Sequence, residues 1–145
     1  MNLKKNIPFF ISLAFLLFSL TQVAYKTDYS DQSANEASSL LVFLIGWLGI
    51  VFIPYGIPWL ANPLLIIAWI LFLRRKIGGP VILSLLASLL SASFLLLDKM
   101  PMNEAPTYAN ITGIGLGYWL WLLSCVTFFI GTTAIYFSRR VSKIG

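Results

Sequence analysis

All five acidic residues fall in two short polar stretches, Asp28, Asp31 and Glu36 in one and Asp98 and Glu104 in the other. Each stretch sits between long apolar runs. Eight of the ten basic residues lie elsewhere: Lys4 and Lys5, then Arg74, Arg75 and Lys76, then Arg139, Arg140 and Lys143. Chains that thread a bilayer keep Lys and Arg in their cytoplasmic connections. The layout therefore predicts a polytopic membrane protein with both termini on the cytoplasmic side.

Composition narrows the fold. Of 145 residues, 59% are apolar and only 10% are charged, whereas soluble domains carry roughly a quarter charged residues. A backbone in lipid must satisfy its polar groups as helices or as a closed barrel. Barrel strands alternate apolar and polar residues over about ten positions. The runs here stay apolar over about 18–20 residues, the length of a crossing helix, so the expected class is an all-α integral membrane protein. The net charge of +5 comes from basic flanks scattered around the spans. Such flanks suit anionic headgroups and make nucleic acid a poor partner. With no His and a single Cys, the chain can form no intrachain disulfide and offers no His or paired-Cys set for a metal; no cofactor is expected.

The apolar runs give four expected transmembrane helices, at about 7–25, 59–76, 80–97 and 113–137. The first has the basic start of a signal peptide, but Gln22 spoils the small-residue cleavage site, so it is read as uncleaved. Residues 40–73 hold 34 positions without a charge, too many for one straight helix and few for two. Pro54, Gly56, Pro58, Asn62 and Pro63 interrupt the middle, where Pro removes donors and disfavours helix just before it. Four crossings place eight Lys and Arg residues inside and five crossings place three, so the positive-inside bias favours four. Residues of about 40–53 are then expected as an interfacial or re-entrant helix on the outer side. Asn62 followed by Pro63 reads as an N-cap with Pro at the first helical position.

Two groups of residues stand out. Trp47, Tyr55, Trp59, Asn62 and Trp119 form a candidate contact surface at the outer membrane boundary, where amphipathic rings anchor. Gly113, Gly117, Ser124 and Gly131 are small residues along the last span, and Ser84, Ser88 and Ser91 line one side of the third. Small residues permit the close backbone approach that drives helix packing in lipid, so these two spans are expected to pack on each other or to form an oligomer seam. Cys125 reads as a buried inert thiol, and the two pairs of loop carboxylates read as solvated charges. Asn110, Ile111 and Thr112 match a glycosylation sequon, of use only in a secretory-pathway host. No ionisable residue falls inside an expected span, although pumps and exchangers usually place one there. No catalytic motif is present, so no catalytic residues are expected.

The segment from GWLG at residues 46–49 to WLANPLL at residues 59–65, closed by Arg74, Arg75 and Lys76, resembles small bacterial multi-span membrane proteins of uncharacterised role. That resemblance covers about a quarter of the chain. It implies a plasma (inner) membrane location and brings no catalytic residues. The functional expectation is a non-enzymatic protein that acts through helix–helix, lipid or partner-protein contacts, in an accessory, immunity or envelope role. The alternative is a small oligomeric channel or facilitator for a neutral solute, lined by Ser84, Ser88, Ser91, Ser124 and Thr127.

Overall fold

The computed structural model describes residues 6–29, 35–51, 55–76, 78–101 and 108–142. Lys4, Lys5, Asp31, Pro54, Glu104 and Lys143, and the end of the expected helix at 52–53, lie outside that set. The described elements are α1 (Ile7–Leu20), β1 (Val23–Thr27), β2 (Glu36–Ser38), α2 (Ser39–Ile45), α3 (Ala61–Leu73), α4 (Gly78–Ser93), β3 (Lys99–Pro101), β4 (Tyr108–Ile114) and α5 (Leu116–Val141). Short 3-10 turns at Gly46–Val51, Pro58–Leu60 and Phe94–Leu96 extend α2, lead into α3 and extend α4.

The all-helical, four-span architecture is overturned on two counts. First, the polar connections build a four-stranded antiparallel sheet in the order β2-β1-β4-β3. Residues expected in the last turn of the first span, Val23, Ala24 and Tyr25, belong to β1, and Gly113, expected in the last span, belongs to β4. Their backbone groups are satisfied across strands: Tyr25 lies opposite Ile114, and Lys26 lies opposite both Gly113 and Glu36. Pro101 and Lys99 occupy the edge strand β3, where a missing donor and a charge are tolerated. Second, only two helices among the described residues are long and apolar enough to cross a membrane, Gly78–Leu96 with 19 residues and Leu116–Val141 with 26. Helix α1 has 14 residues and Pro58–Leu73 falls in the same shorter class, below the ~20 residues of a typical span. Over its described residues, the segment expected at 40–53 is the seven-residue helix α2 followed by a 3-10 turn ending at Val51, about 10 Å of α-helix.

The helices form a bundle below the sheet. Helix α5 packs against both α1 and α4, and α3 packs against α4. Pro8 sits in the first turn of α1, where its missing N–H costs nothing. Arg139 and Arg140 sit in the last turn of α5, the favourable end of the dipole for cations. The apolar core contains Leu16, Leu65, Trp69, Phe72, Ala87 and Phe128. Trp69 meets Phe9 and Phe128 edge-on, with centroids 5.5 and 6.4 Å apart.

Polarity is inverted on the helices. Ser12, Ser84, Ser91 and Ser124 are fully buried, while Leu17, Phe18, Ile82, Leu89, Ile130 and Phe137 are exposed. Only 28% and 22% of the apolar windows of the two long helices are buried. A core helix of a soluble protein buries its apolar side instead.

Candidate functional site

An open cavity of about 510 Å³ lies at the sheet end of the bundle. Its walls come from several elements, among them the following. Leu16, Ser19 and Leu20 belong to α1; Ala24 and Tyr25 to β1; Glu36, Ala37 and Ser38 to β2. Helix α2 and its following turn give Ser39, Val42, Phe43 and Gly46. Trp59 and Asn62 precede or open α3, while Gly117, Tyr118 and Trp121 come from the first turns of α5. The size falls inside the roughly 300–1,000 Å³ of small-ligand sites, which are mostly apolar with a few placed polar groups.

Each polar group has a physical reason for its place. Trp59 Nε1 donates to the Phe43 carbonyl at 2.9 Å, which ties the turn before α3 to α2. That closeness needs Gly46, because a Cβ there would stand 2.5 Å from Trp59 Cδ1. Trp121 Nε1 donates to Asn62 Oδ1 at 2.8 Å. Asn62 therefore does not cap the helix: α3 opens two residues earlier than expected, at Ala61, with Leu60 as its N-cap, and the preceding 3-10 turn supplies the entry. The Asn62 amide holds α3 to α5 instead. Tyr118 donates its hydroxyl to the Ser91 carbonyl at 3.1 Å, and its ring lies 5.1 Å from Phe94. Burial pushes the Tyr25 hydroxyl above its ordinary pKa, so it stays protonated and neutral.

Ser39 is the exception. It is buried at the start of α2, and among the described residues its Oγ has no hydrogen-bond partner. It rests on Gly117, where an added Cβ would collide with that oxygen. At the rim, the Glu36 carboxylate pairs with the Lys26 ammonium, both side chains half exposed.

The expected contact surface divides. Tyr55, Trp59 and Asn62 line the cavity. Trp47 and Trp119 are exposed and line none of it. Tyr118 and Trp121, close neighbours of Trp119 in sequence, join the site. Ser39, Glu36 and Ala37 gave no signal in the sequence because they sit in a polar connection whose strand pairing is not local.

The small residues also separate. Ser124 and Gly131 lie against α1, not α4: Ser124 bonds to Ser12, and a Cβ at Gly131 would stand 2.4 Å from Pro8 Cβ. Gly117 faces Ser39 and the Val23 carbonyl, while Gly113 has open space around it in β4. The expected packing of the third and last spans does occur, but through Ser84 with Thr132 at 3.3 Å and through Tyr118 with Ser91. Ser88 and Ser91 donate to carbonyls of their own helix, as does Thr127 to Leu123. These hydroxyls are absorbed in packed helix contacts and none of them lines the large cavity.

A second recess, of about 10 Å³, lies at the opposite end of the bundle between Phe72, Arg75, Lys76, Thr132, Ile135 and Arg139. Space for about one water gives it no room for a larger ligand. Its value is positional: it shows the turn after α3 and the end of α5 at one basic end. Among the described residues no group of His, Cys, Asp and Glu is placed to hold a metal ion.

No protein-family model matches the chain, and no curated protein and no solved structure matches it either.

Proposed function

We propose that this chain is an integral protein of a bacterial plasma membrane that works without catalysis, by holding the acyl chain of a lipid in the cavity beneath its sheet. The long helices α4 and α5 cross the bilayer, with the shorter α1 and α3 packed beside them. Exposed Leu, Ile and Phe side chains then face lipid, and the buried serines are excluded from it, the arrangement that favours helix association in membranes. The end carrying Arg75, Lys76 and Arg139 faces the cytoplasm by the positive-inside bias. The sheet then stands at the outer headgroup level. Leu40, Leu41, Leu44, Ile45 and Leu48 are exposed on α2 and its turn, so this segment lies against acyl chains next to the cavity.

The observation that carries the reading is the cavity itself: about 510 Å³ of mostly apolar lining, in a wall that includes the α2 segment. Among its described lining residues Glu36 is the one carboxylate, and it is already paired with Lys26. General acid–base chemistry needs a group within reach of a substrate proton and with a suitable pKa, and the lining supplies no second titratable group except tyrosine hydroxyls.

The test is lipid retention. Protein purified in mild detergent and examined by native mass spectrometry should keep one lipid per chain. Val42→Trp, which fills the cavity from α2, should release it, while Leu123→Trp, on an exposed position of α5, should not. A wild type that loses lipid as completely as Val42→Trp would remove the proposal.

A further inference from the structure

The rim of the cavity carries information about the lipid head. Glu36 and Lys26 lie directly opposite on β2 and β1, and their side chains form the single ion pair among the described residues. Glu36 lines the cavity. Just inside, the Ser39 hydroxyl is buried without a partner among the described residues. Tyr25 and Tyr55 also line the cavity, and the face of a tyrosine ring attracts a cation.

We propose that the cavity selects a zwitterionic phospholipid with a primary ammonium head, the ammonium on Glu36 and the phosphate on Lys26. This rests on the cavity being a lipid-chain site. A zwitterionic head exchanges one internal ion pair for two pairs across the interface, and no charge is left alone. An anionic head satisfies Lys26 but sets its own charge beside the like charge of Glu36, a juxtaposition that costs affinity. An uncharged head leaves the Lys26–Glu36 pair closed and gains neither contact. Opening the pair is cheap, because both side chains are half exposed and such pairs contribute little. Ser39 supplies the remaining donor, placed below the charged rim where the ester carbonyls or glycerol oxygens of a phospholipid follow its phosphate.

The experiment reconstitutes the delipidated full chain with equal amounts of phosphatidylethanolamine and phosphatidylglycerol and reads the retained lipid by native mass spectrometry. Arg75→Gln and Arg139→Gln are carried in every sample to suppress anionic lipid at the basic end. The expected result is roughly fivefold enrichment of phosphatidylethanolamine, the size of one modest ion pair. Glu36→Gln should reduce the enrichment to none while lipid is still retained. The exchange Lys26→Glu with Glu36→Lys should restore part of it, since both charges return in reversed places. Retained lipid with no preference, or with a preference for phosphatidylglycerol, overturns the head assignment and leaves the cavity reading standing. Loss of all lipid from the unsubstituted rim overturns both. Circular dichroism of Glu36→Gln checks that the sheet is intact, as expected for an exposed pair.

Discussion

Ser12 and Ser124 clasp α1 to α5 by donating to each other's backbone: Ser12 Oγ bonds the Ser124 carbonyl at 2.8 Å, and Ser124 Oγ bonds the Ser12 carbonyl at 2.9 Å. Both side chains are fully buried. Ser12 carries a third role, since its oxygen accepts from Trp69 Nε1 at 3.2 Å, which draws α3 onto the same crossing. The two substitutions are therefore unequal. Ser124→Ala removes one donation. Ser12→Ala removes one donation and also strands a buried indole N–H. Interhelical bonds in membranes average about 0.6 kcal/mol and reach about 1.7. Ser124→Ala should cost about 0.5–1 kcal/mol and Ser12→Ala about 1–2 kcal/mol in reversible unfolding in mixed micelles. Adding Trp69→Phe should narrow the gap, and equal costs in both backgrounds would count against the clasp.

Gly131 and Gly113 make a controlled pair. A Cβ at Gly131 would meet Pro8 Cβ at 2.4 Å, while a Cβ at Gly113 meets nothing within 4 Å. Gly131→Leu forces α1 away from α5 and should lower the unfolding free energy by about 2 kcal/mol, within the range for overpacking. Gly113→Ala should be neutral or slightly stabilising, because the substitution only narrows the unfolded ensemble. Thermal midpoints in one detergent check both. A Gly131→Leu variant that unfolds like the wild type would show that the contact gives way freely.

The helical parts of this fold were readable because lipid-like periodicity is local. The apolar runs, the Pro-interrupted stretch before α3 and the basic ends all sit in contiguous sequence, and the structure keeps those helices, α1 and α3 shorter than expected and α5 shifted to Leu116–Val141. The sheet was not readable. Tyr25 pairs with Ile114, and Lys26 with Gly113, nearly ninety positions away, so no window of neighbouring residues holds both halves of the ladder. Strands of three to seven residues also give too few alternations for a period of two to show. The site shared this split. Trp59 and Asn62 announced themselves as the rare polar and aromatic groups of an apolar run. Ser39 and Glu36 became part of the cavity only through β1–β2 pairing. Asn62 looks like a cap because a Pro at the next position is a good helix opener; here the 3-10 turn Pro58–Leu60 opens the helix, and the amide bonds Trp121 instead.

Asp28 links the two halves of the sheet and makes its stability depend on acid. Its carboxylate accepts from the Asn110 side chain at 2.6 Å and from the Asn110 backbone N–H at 2.7 Å. These bonds hold its pKa below the ordinary carboxylate value. A group with a depressed folded pKa stabilises fully above its unfolded pKa, near 3.9, and that stabilisation is lost as pH falls through the folded pKa. Wild-type thermal stability should therefore drop below about pH 4 more steeply than that of Asp28→Asn, whose neutral side chain has no such titration. Near neutral pH the variant should be the less stable of the two. Parallel curves from pH 7 to pH 2.5 would show that Asp28 is not the coupling group.

Arg75 occupies the position where a helix usually ends on glycine. After α3, the Arg75 N–H bonds the Phe72 carbonyl at 2.9 Å and the Lys76 N–H bonds the Leu71 carbonyl at 3.0 Å, the two bonds of a Schellman ending. The motif needs a left-handed residue, and Arg75 takes it with φ at 61°. That conformation costs a residue with a Cβ roughly 1–2 kcal/mol, against which glycine gives back part through its looser unfolded chain. Arg75→Gly should raise stability by up to about 1 kcal/mol, and Arg75→Asn by less. Under the proposed membrane orientation, what Arg contributes at this strained site is charge, which adds to Arg74, Lys76 and Arg139 at the basic end. Arg75→Gly should then weaken the orientation bias while it stabilises the fold, a split that Arg74→Gly, outside the left-handed position, should not show. Thermal unfolding reads the first effect, and labelling of a single cysteine at Ser142 with a membrane-impermeant thiol reagent, in a Cys125→Ala background, reads the second. An Arg75→Gly variant less stable than the wild type would mean that the guanidinium makes contacts worth more than the backbone strain.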